Sequence, residues 1–184
     1  MTFITTVLDG LSTLANLAPY HVISYGTLLG TTLYQTFVMT KVCYQALPMS
    51  AFTTLQKRIF PIYFRMQTAL LVLTAVTLPP YGPLSFFEKK KDWIPLGFAS
   101  GLAVLNLFVY GPRTQTTMIE RIHQETRDGR KSNDPEISEE MRAKNRAFSR
   151  AHAMSIHLNL MAVIATLWYG VRLGSRFNLA EQSP

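Results

Sequence analysis

Ile59–Pro80 reads IFPIYFRMQTALLVLTAVTLPP, and from Thr68 to Leu78 it carries no charged residue. A helix needs about 20 mainly apolar residues to cross a hydrocarbon core about 30 Å thick, so this stretch is expected to be a membrane span, 59–79, and not the core helix of a soluble domain. Pro61 suits the first turn of such a helix, where a missing N–H leaves nothing unpaired. Arg65 lies close enough to that end to reach water along its own stem. The cluster Pro79-Pro80-Tyr81-Gly82-Pro83 ends the helix.

Three further stretches have the same character. Residues 22–42 form a span flanked by Tyr20 and Tyr44, rings suited to the membrane interface. It is polar for a span, with Ser24, Thr27, Thr31, Thr32 and Gln35, while Gly26 and Gly30 form a small-xxx-small pair that permits close helix contact. Residues 93–112 follow, from Trp93 to Tyr110 and closed by Gly111-Pro112; residues 151–173 carry Trp168 and Tyr169 near their far end. The fold class expected is all-α: one polytopic membrane domain over 1–184, with four transmembrane helices, an N-terminal amphipathic helix and a helical cytosolic loop between spans three and four. Met1 to Pro19 supplies the amphipathic helix, with Ile4, Val7, Leu8, Leu11, Leu14 and Leu17 at helical spacing. It holds no Lys or Arg and so reads neither as a secretory signal nor as a transit peptide.

Charge is scarce, at 16% of the chain, and segregated. The hydrophilic loop 113–150 holds most of it. There Asn133-Asp134-Pro135-Glu136 combines a capping side chain, a first-turn proline and acids for the positive helix end, which predicts a helix that runs on into the fourth span. One side of the membrane receives thirteen basic residues: Lys41, Lys57, Arg58, Arg65 and nine within 113–150. The other receives five, Lys89, Lys90, Lys91, Arg172 and Arg176. By the positive-inside rule the loop is cytosolic and both termini lie outside or in a lumen, with the endoplasmic reticulum or another endomembrane as the expected site. The net charge of +7 follows from this topology, and no nucleic-acid-binding signature accompanies it, so no nucleic-acid partner is expected. The single cysteine, Cys43, excludes an internal disulfide and reads as a small apolar filler.

Polar residues at membrane depth are costly and therefore mark either interhelical contacts or a functional pocket. Thr27, Thr31 and Gln35 share a face of the first span, Asn106, Tyr110 and Arg113 a face of the third, and His152, Ser155, Asn159 and Thr166 a face of the fourth. Gln35, Asn106, Tyr110, Arg113, Arg150, His152, Ser155 and Asn159 are thus the candidate residues of a pocket or of a structural polar network. His152 and His157 stand five apart, off a common face, and no acid lies in a span, so no metal or other cofactor is expected. Ser155 near His152 lacks a nucleophile elbow and a third triad member, so no catalytic residue is assigned. His21 and His123 read as interfacial and loop residues without special chemistry.

Tyr34-Gln35-x-Phe37, Leu55-Gln56-x-x-x-Phe60-Pro61-x-Tyr63-Phe64, Asn106 with Pro112-Arg113-Thr114 and Met118, and Arg150-x-His152-x-x-Ser155-x-x-x-Asn159-Leu160 together resemble the transmembrane protein 205-like family of small eukaryotic four-span proteins. The resemblance implies a four-helix membrane protein and carries no family-wide reaction or cofactor. The function expected is a non-enzymatic endomembrane scaffold or trafficking accessory whose 113–150 loop meets a cytosolic protein. The alternative is a small membrane enzyme of oxygenase-like type, or a transporter, acting on a lipophilic small molecule. The lipid bilayer is a partner in every case.

Overall fold

The structure, a computed structural model, describes residues 16–85 and 90–176. Most of the stretch read as an N-terminal amphipathic helix, 1–15, lies outside the described residues. The described residues are helical with no strand.

Four helical runs follow one another. The first, 17–46, comprises α1 (Leu17–Leu33), a π-helical turn (Tyr34–Met39) and α2 (Thr40–Ala46). Asn16 starts it, its side chain accepting from the N–H of Ala18 at 3.0 Å. The second is α3 (Met49–Val76). The third, 90–128, joins α4 (Lys90–Leu105) and α5 (Gly111–Asp128) through a second π turn, Asn106–Tyr110. The fourth is α6 (Glu139–Gly174). Each run packs on the next and α6 closes back on α1. Tyr25, Leu28, Leu71, Leu78, Leu96, Ala99, Ala103, Ala165 and Tyr169 form the core between them. The outer faces stay apolar: Ile23, Ile62, Phe108 and Val171 are each more than 60% exposed, as lipid-facing side chains are and those of a soluble monomer seldom are.

Met49–Val76, Trp93–Asp128 and Glu139–Gly174 are long and apolar enough to cross a membrane. The last two have 36 residues each, about 54 Å at 1.5 Å per residue, well beyond a 30 Å core. Their charged halves, α5 and the start of α6, pack on each other as a helical stalk. It is tied by Lys144–Glu120 at 2.9 Å, Arg130–Glu136 at 3.0 Å and Arg127–Glu140 at 3.3 Å, with Met141 fully buried beneath.

Several boundaries differ from the sequence reading, each for a local reason. α3 begins ten residues before Ile59, leaving Pro61 inside the helix. That proline gives Lys57 O no donor from the next turn; the Gln115 side-chain amide on α5 approaches this carbonyl at 3.5 Å. Gly111-Pro112 does not end the third run either. The π turn just before Pro112 resets the ladder so that its missing N–H costs nothing, and the run continues to Asp128. Only glycine fits at 111, since a Cβ there would stand 2.6 Å from Asn106 O and 3.2 Å from the Phe64 ring. The fourth helix starts at Glu139, not at Asn133–Glu136. Asp134 turns its carboxylate onto the Glu136 N–H (2.9 Å), while Ser138 Oγ caps Met141 N at 3.0 Å. The expectation that this helix continues unbroken through the fourth apolar stretch agrees with the structure.

Candidate functional site

A polar layer crosses the bundle about 20 Å from the ends of α3 and α6, counting 1.5 Å per residue from Tyr63 to Val76 and from Asn159 to Gly174. Asn159 of α6 is its centre. The Tyr63 hydroxyl donates to Asn159 Oδ1 at 2.7 Å, Gln67 Nε2 donates to the same oxygen at 3.4 Å and to Tyr63 Oη at 3.2 Å, and Asn159 Nδ2 donates to Thr36 Oγ1 at 2.9 Å. One turn away on α6, the Ser155 carbonyl accepts from Asn106 Nδ2 at 3.0 Å. All four runs are thereby joined at one level.

Both π turns lie in this layer. A π turn widens the helix and leaves one residue out of step, which re-aims side chains. Thr36 sits within the first such turn and Asn106 opens the second. In the first, Thr40 donates its hydroxyl to Gln35 O at 2.9 Å, and Gln35 Nε2 reaches Thr40 Oγ1 at 3.4 Å. Two acceptors in the layer, Gln67 Oε1 and Asn106 Oδ1, are buried without a donor.

The candidate residues therefore separate. Asn106, Ser155 and Asn159 meet across helices. Gln35 is buried but bonds within its own run. Tyr110 packs on Leu102, Leu158 and Ala162. Arg113 and Arg150 are exposed. His152 stacks on Phe148 at 5.2 Å between ring centroids, and the guanidinium of Arg121 lies over the Phe148 ring, 4.3 Å from its centroid; this group belongs to the stalk root. Thr27 and Thr31 hand their hydroxyls to carbonyls one turn back, at 2.8 and 2.7 Å.

Tyr63, Gln67 and Thr36 are not among the site candidates of the sequence reading, where Tyr63 appears only in the resemblance motif, although a signal for two of them exists. Gln56, Tyr63, Gln67 and Thr74 recur at seven, four and seven residues, one face of α3, and all four are buried. His21 corrects the sequence reading outright: it is 1% exposed, with Nδ1 2.9 Å from Thr74 O and Nε2 2.5 Å from Tyr169 Oη. Ser24 meets Thr77 at 3.3 Å beside it, and Tyr25 donates to Thr166 O at 3.1 Å. This second cluster closes the termini end of the bundle.

Between α1 and α3, on the outer face of the layer, lies a cleft of about 190 Å³ lined by Thr31, Tyr34, Gln35, Ile59, Ile62, Tyr63 and Met66. Its walls are chiefly apolar; neither His152 nor Arg113 lines it. Among the described residues no group of three or more His, Cys, Asp or Glu is placed to hold a metal ion.

Residues 23–123, which include Thr36, Tyr63, Gln67 and Asn106, match the model of a protein family described as a domain of unknown function, DUF4149. Over 165 residues, 90% of this chain and 94% of the relative, the sequence is 48% identical to an Aspergillus fumigatus protein named Xanthocillin biosynthesis cluster protein D. No solved structure matches.

Proposed function

Because the chain belongs to the DUF4149 family, and is similar to a protein of a fungal biosynthesis cluster, we propose that it is a four-span, non-enzymatic membrane accessory of small-molecule biosynthesis. In this reading the run 17–46 is the fourth membrane-crossing element beside the three long apolar helices, and the fold is of the transmembrane protein 205-like type. The stalk projects into the cytosol from an endomembrane, with both termini lumenal. There it holds a soluble protein of the pathway against the membrane where lipophilic intermediates collect.

The observation that carries this reading is the hydrogen bonding of the layer. Apart from the Gln67 and Asn106 amide oxygens, which are buried without a donor, the polar groups of Thr36, Tyr63, Gln67, Asn106 and Asn159 bond to one another and to the Ser155 backbone, as those of residues that fix helix register do. Purification of the full chain in mild detergent, followed by mass spectrometry of co-purifying proteins and metabolites, tests it. A stoichiometric soluble partner, lost when stalk-tip residues such as Lys131 and Asn133 are replaced, is expected. Turnover of a lipophilic substrate by the chain alone overturns it.

A second reading, a site for a lipophilic small molecule, is favoured by the cleft between α1 and α3, where Gln35 and Tyr63 offer polar groups at the back of an apolar slot. Ile62→Trp, which fills the slot, would then abolish a co-purifying lipophile that the unaltered chain retains.

A further inference from the structure

The mixed charge of 113–150 resolves, once folded, into two zones. Heights along the helices follow from the polar layer at 1.5 Å per residue. Below the layer α3 and α6 extend about 20 Å, so a 30 Å hydrocarbon core ends about 8–10 Å above it on the stalk side. Lys41 stands about 8 Å above Thr36, Lys57 and Arg58 about 8–9 Å above Tyr63, and Arg113 about 10 Å above Asn106, all at that boundary, whereas the exposed Arg65, about 3 Å below Tyr63, lies more than about 10 Å inside it and not near the helix end as the sequence suggests. Arg150 stands about 14 Å above Asn159, in the headgroup zone, whereas Arg146, about 20 Å above it, belongs to the stalk. Of Lys41, Lys57, Arg58, Arg113 and Arg150, Lys57 is half-buried, the other four are exposed, and none makes a salt bridge with a described residue.

Acids are missing from this level. The sequence has no Asp or Glu between Gly10 and Phe87, between Trp93 and Ile119, or between Met141 and Ala180. The first acid up the stalk is Glu120, about 21 Å above the layer by helical rise, and it is engaged by Lys144 at 2.9 Å. The others lie nearer the tip, where Glu136, Glu139 and Glu140 are paired with arginines. A net-neutral stalk tip, seven acids against seven basic residues, therefore stands on a collar of five cations.

We propose that this collar is a binding surface for the headgroups of anionic phospholipids in the stalk-side leaflet. The complementarity is one of charge and of depth: phosphate and carboxylate groups of that leaflet occupy the level at which the five side chains end, and no protein carboxylate stands at that level to compete for them. Arginine's fork adds paired hydrogen bonds to phosphate oxygens. The inference rests on the four-span orientation proposed above.

The test uses the full chain in proteoliposomes of phosphatidylcholine with spin-labelled phosphatidylserine or phosphatidylcholine as probes, read by electron paramagnetic resonance. A severalfold preference for phosphatidylserine at the protein surface is expected. It should fall at least about twofold in Arg113→Gln/Arg150→Gln and further with Lys57→Gln/Arg58→Gln, consistent with a gain of order 1 kcal/mol per basic residue near an anionic surface, or about fivefold. High salt should weaken it in the same way. The preference should survive Lys89→Gln/Lys90→Gln/Lys91→Gln. Equal association of both lipids, or a preference that follows Lys89–Lys91 instead, overturns the proposal and leaves the collar to an acidic protein segment. Ser132→Cys and Ser175→Cys, made separately in Cys43→Ser, are labelled from opposite sides of sealed vesicles if the four-span orientation holds. Labelling from the same side sinks the orientation, whatever the lipid preference.

Discussion

Replacing Asn159 by leucine removes the centre of the polar layer while keeping the number and branching of the side-chain heavy atoms. Three interhelical hydrogen bonds disappear: those from Tyr63 at 2.7 Å and Gln67 at 3.4 Å, and that to Thr36 at 2.9 Å. At the average of about 0.6 kcal/mol per interhelical bond in a membrane protein, their loss amounts to about 2 kcal/mol. Tyr63 and Gln67, 3% and 2% exposed, keep their mutual bond at 3.2 Å but lose their shared acceptor. A stranded buried donor costs about 1–3 kcal/mol, so about 3–5 kcal/mol in total is expected. Circular dichroism during unfolding of the purified chain in mixed detergent micelles measures it. Ser100→Ala is the control, because the Ser100 hydroxyl only bonds back to Leu96 O in its own helix, at 2.8 Å. A double-mutant cycle with Thr36→Val should return a coupling near the single-bond value. If Asn159→Leu costs no more than Ser100→Ala, the layer does not hold the four runs together, and a register-fixing role for it is refuted.

Gly170→Ala places a Cβ against the Tyr25 hydroxyl, so the variant should lose about 1–3 kcal/mol, and Tyr25→Phe should restore part of the loss. Gly111→Ala drives a methyl toward Asn106 O and the Phe64 ring, and should weaken thermal stability while leaving the helical signal intact. His21→Ala removes the buried ring between Thr74 O and Tyr169; near-ultraviolet circular dichroism should report loosened packing at the termini end, while His123→Ala, on the exposed face of α5, should leave the spectrum unchanged. Breaking Lys144–Glu120 with Lys144→Gln should cost at most about 1 kcal/mol, less at high salt, since both side chains are partly exposed.

Hydrophobic runs and helical period make the apolar segments legible in the sequence itself, because a membrane core tolerates few alternatives to a long helix. The ends are less legible. Pro61 and Gly111-Pro112 read as helix punctuation because proline lacks a donor; in the folded chain Gln115 approaches the carbonyl that Pro61 leaves, and a π turn absorbs Pro112. Neither remedy is visible in a local window, since one comes from another helix and the other from a change of helical repeat. Asn106, Ser155 and Asn159 are legible as stripe members. Tyr63 and Gln67 are masked by the apolar run beside them, and His21 by its position next to an aromatic flank. In each case it is the partner, 49 to 148 residues away, that decides the role.

The third and fourth runs pass from the termini end of the bundle to the stalk tip without a loop between. Mechanically each is a lever arm. α6 is uniformly α-helical, whereas its neighbour contains one compliant joint, the π turn at Asn106–Tyr110. A load applied near Asp128 would act as a torque about Asn106, and the hydrogen bond from Asn106 to Ser155 O is the tie that would resist it.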